Sequence, residues 1–210
     1  MQATHKSFFA IRRLKIALWC WAAAPLVDLA WRAFVQTLGP NPQETLLRAT
    51  GLWCLVLLLV TLSITPLRKW LDWAELIRVR RMLGLWVFAY AVVHGLGFWA
   101  FEHDFNWAAV LQDAFKRPFV TVGLLSLALL TPLALTSNQW SMRRLAGNWK
   151  KLHRLVYVVA ALSVLHFYLH RAGKNDFVEP AIALLVLLVL LIARLLIRRL
   201  DCHGPKGPSQ

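Results

Sequence analysis

Long apolar runs alternate with short polar blocks along this chain, and the lengths of the runs set the expected architecture. The first run extends from Leu14 to Val35. The second, TGLWCLVLLLVTLSITPLRK at 50–69, is expected to stop at Pro66. The third starts near Arg78 and continues to about Phe101. The fourth, KRPFVTVGLLSLALLTPLALTS at 116–137, carries Pro132 as a tolerated kink. The fifth, WKKLHRLVYVVAALSVLHFYLH, reads as one helix from Trp149 to His170, and the sixth runs from Phe177 to Leu200. Each approaches or exceeds the roughly 20 residues that a helix needs to cross a bilayer core. GPNP at 39–42 reads as a turn, and EHDFNW followed by a loop to Lys116 joins the third run to the fourth. The expectation is an all-α, integral membrane six-helix bundle over residues 1–200. A Gly/Pro-rich tail at 201–210 is expected to be disordered.

Composition agrees with that pattern. Of 210 residues, 59% are hydrophobic and 16% charged, against roughly a quarter charged in soluble domains. A net charge of +14 would suit nucleic acid on a folded basic face. Here the Lys and Arg sit in short blocks between apolar runs, so the charge belongs to topology and nucleic acid is not an expected partner. Six spans return the chain to the face on which it began. That face collects 18 of the 24 Lys and Arg and the other collects 6, which puts both termini in the cytoplasm. The run Arg68, Lys69, Arg78, Arg80 and Arg81 then reads as a membrane-surface anchor, and Asp28 and Arg32, four apart, as a pair near the interface.

Candidate chemistry is confined to histidines. His153 and His166 stand 13 residues apart in the fifth run, roughly 20 Å along a helix, and His94 lies in the half of the third run far from its arginines. An imidazole inside a span is costly unless it is paired, faces a cavity or binds something. The third and fifth runs cross in the same direction, so His94 and His166 share a level while His153 lies at the cytoplasmic edge. A haem in a helical bundle needs two nitrogen ligands from facing helices, and only His94 with His166 meets the depth requirement. At the level of His153 the third run offers Arg81 and Met82. On an ideal helix His153 and His166 point about 140° apart, so two haems would require either a distorted helix, with a π-bulge the first distortion to look for, or seats against different neighbours. Gly84, Gly95 and Gly97 are small residues that would let a neighbour or a flat ring approach. His170, on the same face as His166, could compete with it as a ligand but better suits the interface or a haem propionate, and His103 reads as solvated. His5 and His203 lie in terminal segments. Cys20, Cys54 and Cys202 make an odd set that fits packing better than a disulfide framework. Without a CxxCH motif any haem is the non-covalent b type. The chain carries no GxGxxG on a strand, no P-loop and no HExxH. Electrons must therefore come from a membrane quinol or from a separate flavoprotein.

RRMLGLWVFAYAVVHG, KRPF followed by TPLALTS, and WKKLHRLVYVVAALSVLH resemble, in order and spacing, the MsrQ family, also called YedZ. The likeness covers roughly Ile77 to His166. It implies a six-helix b-type cytochrome of the bacterial inner membrane, akin to the ferric-reductase-like transmembrane domain of NADPH oxidases. It further implies that His94, His153 and His166 are haem-associated, with one or two haems b and FMN as cofactors. The implied role is an electron-transfer subunit rather than a stand-alone catalyst. Its electrons would come from the quinol pool, or from a cytoplasmic flavin reductase, and pass to a periplasmic molybdopterin-containing methionine sulfoxide reductase that repairs oxidised envelope proteins. The NADPH oxidases carry two histidines on each of two helices, and the third run here has none to pair with His153. Two other functions fit the residues alone: a transmembrane metalloreductase serving extracellular iron or copper, and a non-redox scaffold whose histidines are interhelical contacts.

Overall fold

The computed structural model describes residues 2–173 and 175–203, with side chains from Ala10 to Leu200 apart from Lys174. The readings placed on the side chains of His5, Cys202 and His203 lie outside these residues, as does the tail from 204 onward.

The described chain is helical throughout its length: α1 (Gln2–Phe34), α2 (Pro42–Trp70), a single 3-10 turn, α3 (Ile77–His103), α4 (Trp107–Lys116), α5 (Pro118–Leu135), α6 (Gln139–Leu152), α7 (Leu155–Ala172) and α8 (Val178–His203). Six of these contain stretches long and apolar enough to cross a membrane, at Ala10–Phe34, Pro42–Trp70, Ala74–His103, Pro118–Leu135, Leu155–Ala172 and Val178–Leu200. The protein is a multi-pass membrane bundle. Its two most extensive packing pairs are α2 with α3 and α5 with α7, while α8 closes against α2 and α7 and α1 lies outside against α3. Leu57, Leu58, Leu62, Leu83, Val87 and Val159 are fully buried between them. Exposed Ile182, Leu185, Val189, Ile192 and Leu196 run along α8, on the surface that lipid covers in a bilayer.

Pro66 does not end the second helix; α2 continues through it to Trp70. Proline has no N–H, so the carbonyl four residues earlier, that of Leu62, loses its helical donor. Arg194 of α8 fills the gap: Nη2 donates to the Leu62 carbonyl at 2.5 Å and to Thr65 Oγ1 at 3.0 Å, and Nη1 donates to Tyr157 Oη. The helix survives because another span completes its broken rung. Arg194 is thus buried within the bundle rather than anchored at its surface. Near Pro25, inside α1, fully buried Tyr90 donates to the Ala22 carbonyl at 2.8 Å and ties α3 to α1. Asp28 and Arg32 pair at 3.8 Å as their spacing suggests.

Two helices do not cross. The segment leading to Lys116, expected as a loop, forms α4, capped by the Asn106 side chain on the amides of Ala108 and Ala109. Its Asp113 turns inward to meet Arg117 Nε at 2.9 Å and His103 Nε2 at 3.3 Å. His103 is therefore enclosed, its side chain only 11% exposed, and the solvated position expected for it is wrong. The Asp113–His103 contact joins α4 to the end of α3, while Arg117 closes back on Asp113 from the end of α4 itself. α6 starts at the Asn138 cap, 2.7 Å from the Ser141 amide, and is kinked at Ala146, whose φ of 42° is a left-handed value that a residue with a Cβ rarely adopts.

The fifth run is also not one helix. The chain leaves α6 at Leu152, makes a turn at His153–Arg154 and re-enters helix at Leu155. The break is a tightening: the amides of Arg154, Val156 and Tyr157 bond to the carbonyls three residues back, at 3.1–3.4 Å. It is a distortion of the opposite sense to a π-bulge, which would have widened the turn.

A paired-histidine cavity as the candidate functional site

His94 on α3 and His166 on α7 face each other, ring centroids 6.1 Å apart and planes crossed at 86°. Each is held in the same way. His94 Nδ1 donates to the Leu47 carbonyl of α2 at 3.0 Å, with Thr50 Oγ1 3.4 Å from the same nitrogen. His166 Nδ1 donates to the Phe119 carbonyl of α5 at 2.7 Å. Each ring also lies against the glycine one turn beyond its carbonyl. A Cβ on Gly51 would come within 3.1 Å of His94, and one on Gly123 within 2.8 Å of His166. Neither Nε2 has a hydrogen-bond partner among the described residues. A fixed Nδ1–H leaves the Nε2 lone pair for a metal, as is usual for ligating histidines.

Gly51 and Gly123 escape a reading that looks for glycines on the histidine helices. Gly84 has nothing near it, whereas Gly95 admits Leu127 of α5 and Gly97 admits Leu47 of α2 and the Phe101 ring, so two of the three let a neighbour approach but none seats a histidine. The signal that finds the real seats is periodic. Leu47 and Phe119, Gly51 and Gly123, and His94 and His166 are each 72 positions apart. Both histidine-to-carbonyl bonds accordingly span 47 residues. The helical pair α2–α3 is repeated as α5–α7, with α2 and α5 crossing in one direction and α3 and α7 in the other.

Between the two pairs lies a cavity of about 710 Å³, within the usual range for cofactor sites. Its deep wall is apolar and built from repeated positions: Leu58 with Leu130, and Val87 with Val159. Cys54 also lines it, its thiol donating to the Val87 carbonyl at 3.5 Å. The end toward α4 is charged. Arg48, Arg117 and Arg171 stand there, paired with Glu44 at 3.7 Å, Asp113 at 2.9 Å and Asp176 at 3.0 Å respectively, with Glu179 also on Arg171. His170 lines the same end, edge-on to Phe119.

His153 is not brought to this cavity. Its Nδ1 donates to the Trp149 carbonyl at 3.1 Å, its ring stacks on the Trp149 indole at 3.9 Å, and Nε2 lies 3.5 Å from Ser137 Oγ. Burial pushes its pKa below the usual histidine range, so the imidazole is neutral near pH 7. Counted by the repeat, the counterpart of His153 is Arg81. Arg81 and Met82, the candidates at this level, line a shallow pocket with Lys15 and Trp19 of α1. Among the described residues no group of three or more His, Cys, Asp or Glu could hold a bare metal ion.

Six spans around a cavity bounded by two duplicated helical pairs, each presenting one imidazole, define a membrane bundle of the paired-histidine class. The chain belongs to the family of ferric reductase like transmembrane components, whose model matches residues 48–164, and within that architecture to the MsrQ family. A relative from Herminiimonas arsenicoxydans is 45% identical over 195 residues, covering 92% of this chain and 89% of its own. One from Ralstonia nicotianae is 44% identical over 183 residues, 87% and 84% of the two chains. A third, from Bordetella pertussis, is 43% identical over 191 residues, 91% and 93%. All three carry the name protein-methionine-sulfoxide reductase heme-binding subunit MsrQ.

Proposed function

We propose that this protein is a haem-carrying membrane electron-transfer subunit, with His94 and His166 as the axial ligands of a b-type haem in the cavity between α2, α3, α5 and α7. The observation that carries the reading is the pair of imidazoles 6.1 Å apart, each tethered at Nδ1 and open at Nε2. An imidazole–metal bond of about 2 Å on each side of one iron, plus the roughly 1 Å from nitrogen to ring centre, gives a separation of about 6 Å. The two seats that a Cβ would fill, the apolar wall and the charged end suit a flat apolar macrocycle with acidic substituents. A haem iron also asks the protein for only two ligands, which is the number available here.

When bound, haem supplies one-electron redox chemistry. The chain's residues hold it: the Leu47 and Phe119 carbonyls fix tautomer and direction, Gly51 and Gly123 give room for the rings, and the apolar wall excludes water. The names of the relatives support a place in a methionine sulfoxide reductase system. The reading therefore has electrons arriving from a quinol or a separate flavoprotein on the face bearing the termini, taken as cytoplasmic from the charge asymmetry. They leave toward a periplasmic molybdopterin-containing reductase. His153 is proposed as the ligand of a second haem by family likeness, supported by its neutral ring and its Nδ1 tether to a main-chain carbonyl. FMN rests on the likeness alone and has no residues assigned to it. A scaffold whose histidines serve only as interhelical contacts would leave no reason for two open Nε2 atoms over a cavity.

Reduced-minus-oxidised spectra with haem quantitation on the wild type, His94→Ala, His166→Ala and His153→Ala test the reading. The first two variants should lose most of the b-type Soret band. The third should lose only the share of haem held at His153. A wild-type protein that stays colourless when supplied with haem overturns it.

A further inference from the structure

We propose that Gly51 and Gly123 are positioning residues that hold the two ligand imidazoles crosswise, so that the bound haem carries its axial rings in perpendicular planes. The inference rests on the reading of His94 and His166 as ligands and adds a property of the site that ligation alone does not imply. Two imidazoles on one iron can take any relative rotation about the axial bonds. Here each ring has two restraints from one neighbouring helix. The Nδ1 hydrogen bond fixes the direction in which the ring points, at 3.0 Å to Leu47 and 2.7 Å to Phe119. The glycine fixes its rotation, because ring atoms lie where a Cβ would sit: Cε1 and Nδ1 of His94 at 3.1 and 3.2 Å from that point on Gly51, and Nδ1 and Cε1 of His166 at 2.8 and 2.9 Å on Gly123. Carbonyl and glycine are four residues apart and so share one face of a helix.

The duplication decides the angle. The two helical pairs cross in the same sense, so the operation relating them is a half-turn about an axis along the membrane normal, the arrangement of parallel repeats. With the iron on that axis, a half-turn carries one ring onto the other with its tilt reversed. Equal seats therefore give equal and opposite rotations, and the crossing angle is twice the tilt that one seat imposes. The observed 86° is near the maximum possible crossing. The angle is a consequence of seat geometry repeated, not of contact between the rings.

Crossed imidazoles donate into different iron dπ orbitals, whereas parallel ones raise the same orbital. A ferric low-spin haem with crossed rings keeps those orbitals close in energy. Its electron paramagnetic resonance spectrum is then highly anisotropic, with one dominant low-field feature in place of the three-line rhombic pattern of parallel rings. The test is low-temperature resonance on the ferric, haem-loaded full chain in detergent. His153→Ala serves to remove any contribution from that position. The expected result is the highly anisotropic signal, lost in His166→Ala. In Gly51→Ala, the milder intrusion, the low-field feature of the haem that remains bound should shift toward the rhombic pattern. Gly123→Ala should shift it further or lose haem. A rhombic wild-type spectrum overturns the proposal, and so does a Gly51→Ala spectrum unchanged at full haem content. Failure of the ligand reading looks different: no low-spin haem in the wild type, or a signal that survives both His94→Ala and His166→Ala.

Discussion

Arg194 and Pro66 should be energetically coupled, although they lie on different helices and 128 positions apart in the chain. Arg194→Met removes three interhelical hydrogen bonds, to the Leu62 carbonyl, Thr65 and Tyr157. Such bonds in membrane bundles average about 0.6 kcal/mol and reach about 1.7, so roughly 2 kcal/mol is lost. The same change relieves the cost of a buried guanidinium, and the net effect of the single substitution is a small difference between these terms. The coupling is cleaner. Pro66→Ala restores a backbone N–H at position 66, which can close the helical bond to Leu62 that Arg194 otherwise replaces. In that background Arg194→Met should cost about 1–2 kcal/mol less than in the wild type, the worth of not stranding one buried carbonyl. Equilibrium unfolding of the four proteins in mixed micelles titrated with SDS measures the cycle. Costs that add to within about 0.5 kcal/mol would refute the idea that Arg194 is there to complete the broken helix.

Further outcomes follow from other contacts. Asp113→Ala removes the partner of enclosed His103 and should release α4, seen as faster amide exchange across residues 107–116 and a loss of about 1–3 kcal/mol, with the haem spectrum retained; unchanged exchange would show that α4 is held by something else. Gly84→Ala, with nothing near its Cβ position, should be neutral or stabilising by up to about 1 kcal/mol in thermal unfolding. Gly123→Ala should instead be destabilising by about 1–3 kcal/mol, as overpacking usually is, even in protein without haem. The reverse order would mean that the contact with His166 is not close-packed.

The spans were legible because apolar length is a strong signal, and the facing of His94 and His166 followed from counting depth along two helices of the same direction. What could not be read was whatever depends on contacts that form only once other elements are in place, and one local break. Pro66 looks like a stop until the guanidinium 128 positions later is brought to its carbonyl. His103 looks solvated until α4 folds Asp113 back onto it. α4 itself is short and mixed in composition, so it lacks the run that marks a span, and its amphipathic pattern is readable only once the neighbouring helices are in place. The break at His153 is a local tightening that the apolar pattern of the fifth run conceals. Gly51 and Gly123 were within reach, because the 72-residue spacing of the two histidines is written in the chain; applying it to every residue exposes the repeat.

The duplicated pairs also set an order of events at the ribosome. The first half of the chain delivers α2 and α3 with one imidazole seated and its lone pair facing lipid or an unfinished bundle. The opposing wall comes only with α5 and α7, so the cavity is not bounded until residues beyond His166 have entered the membrane. A chain interrupted anywhere between the two pairs is a half-clamp. Closure of the cavity is thereby tied to completion of the fifth span.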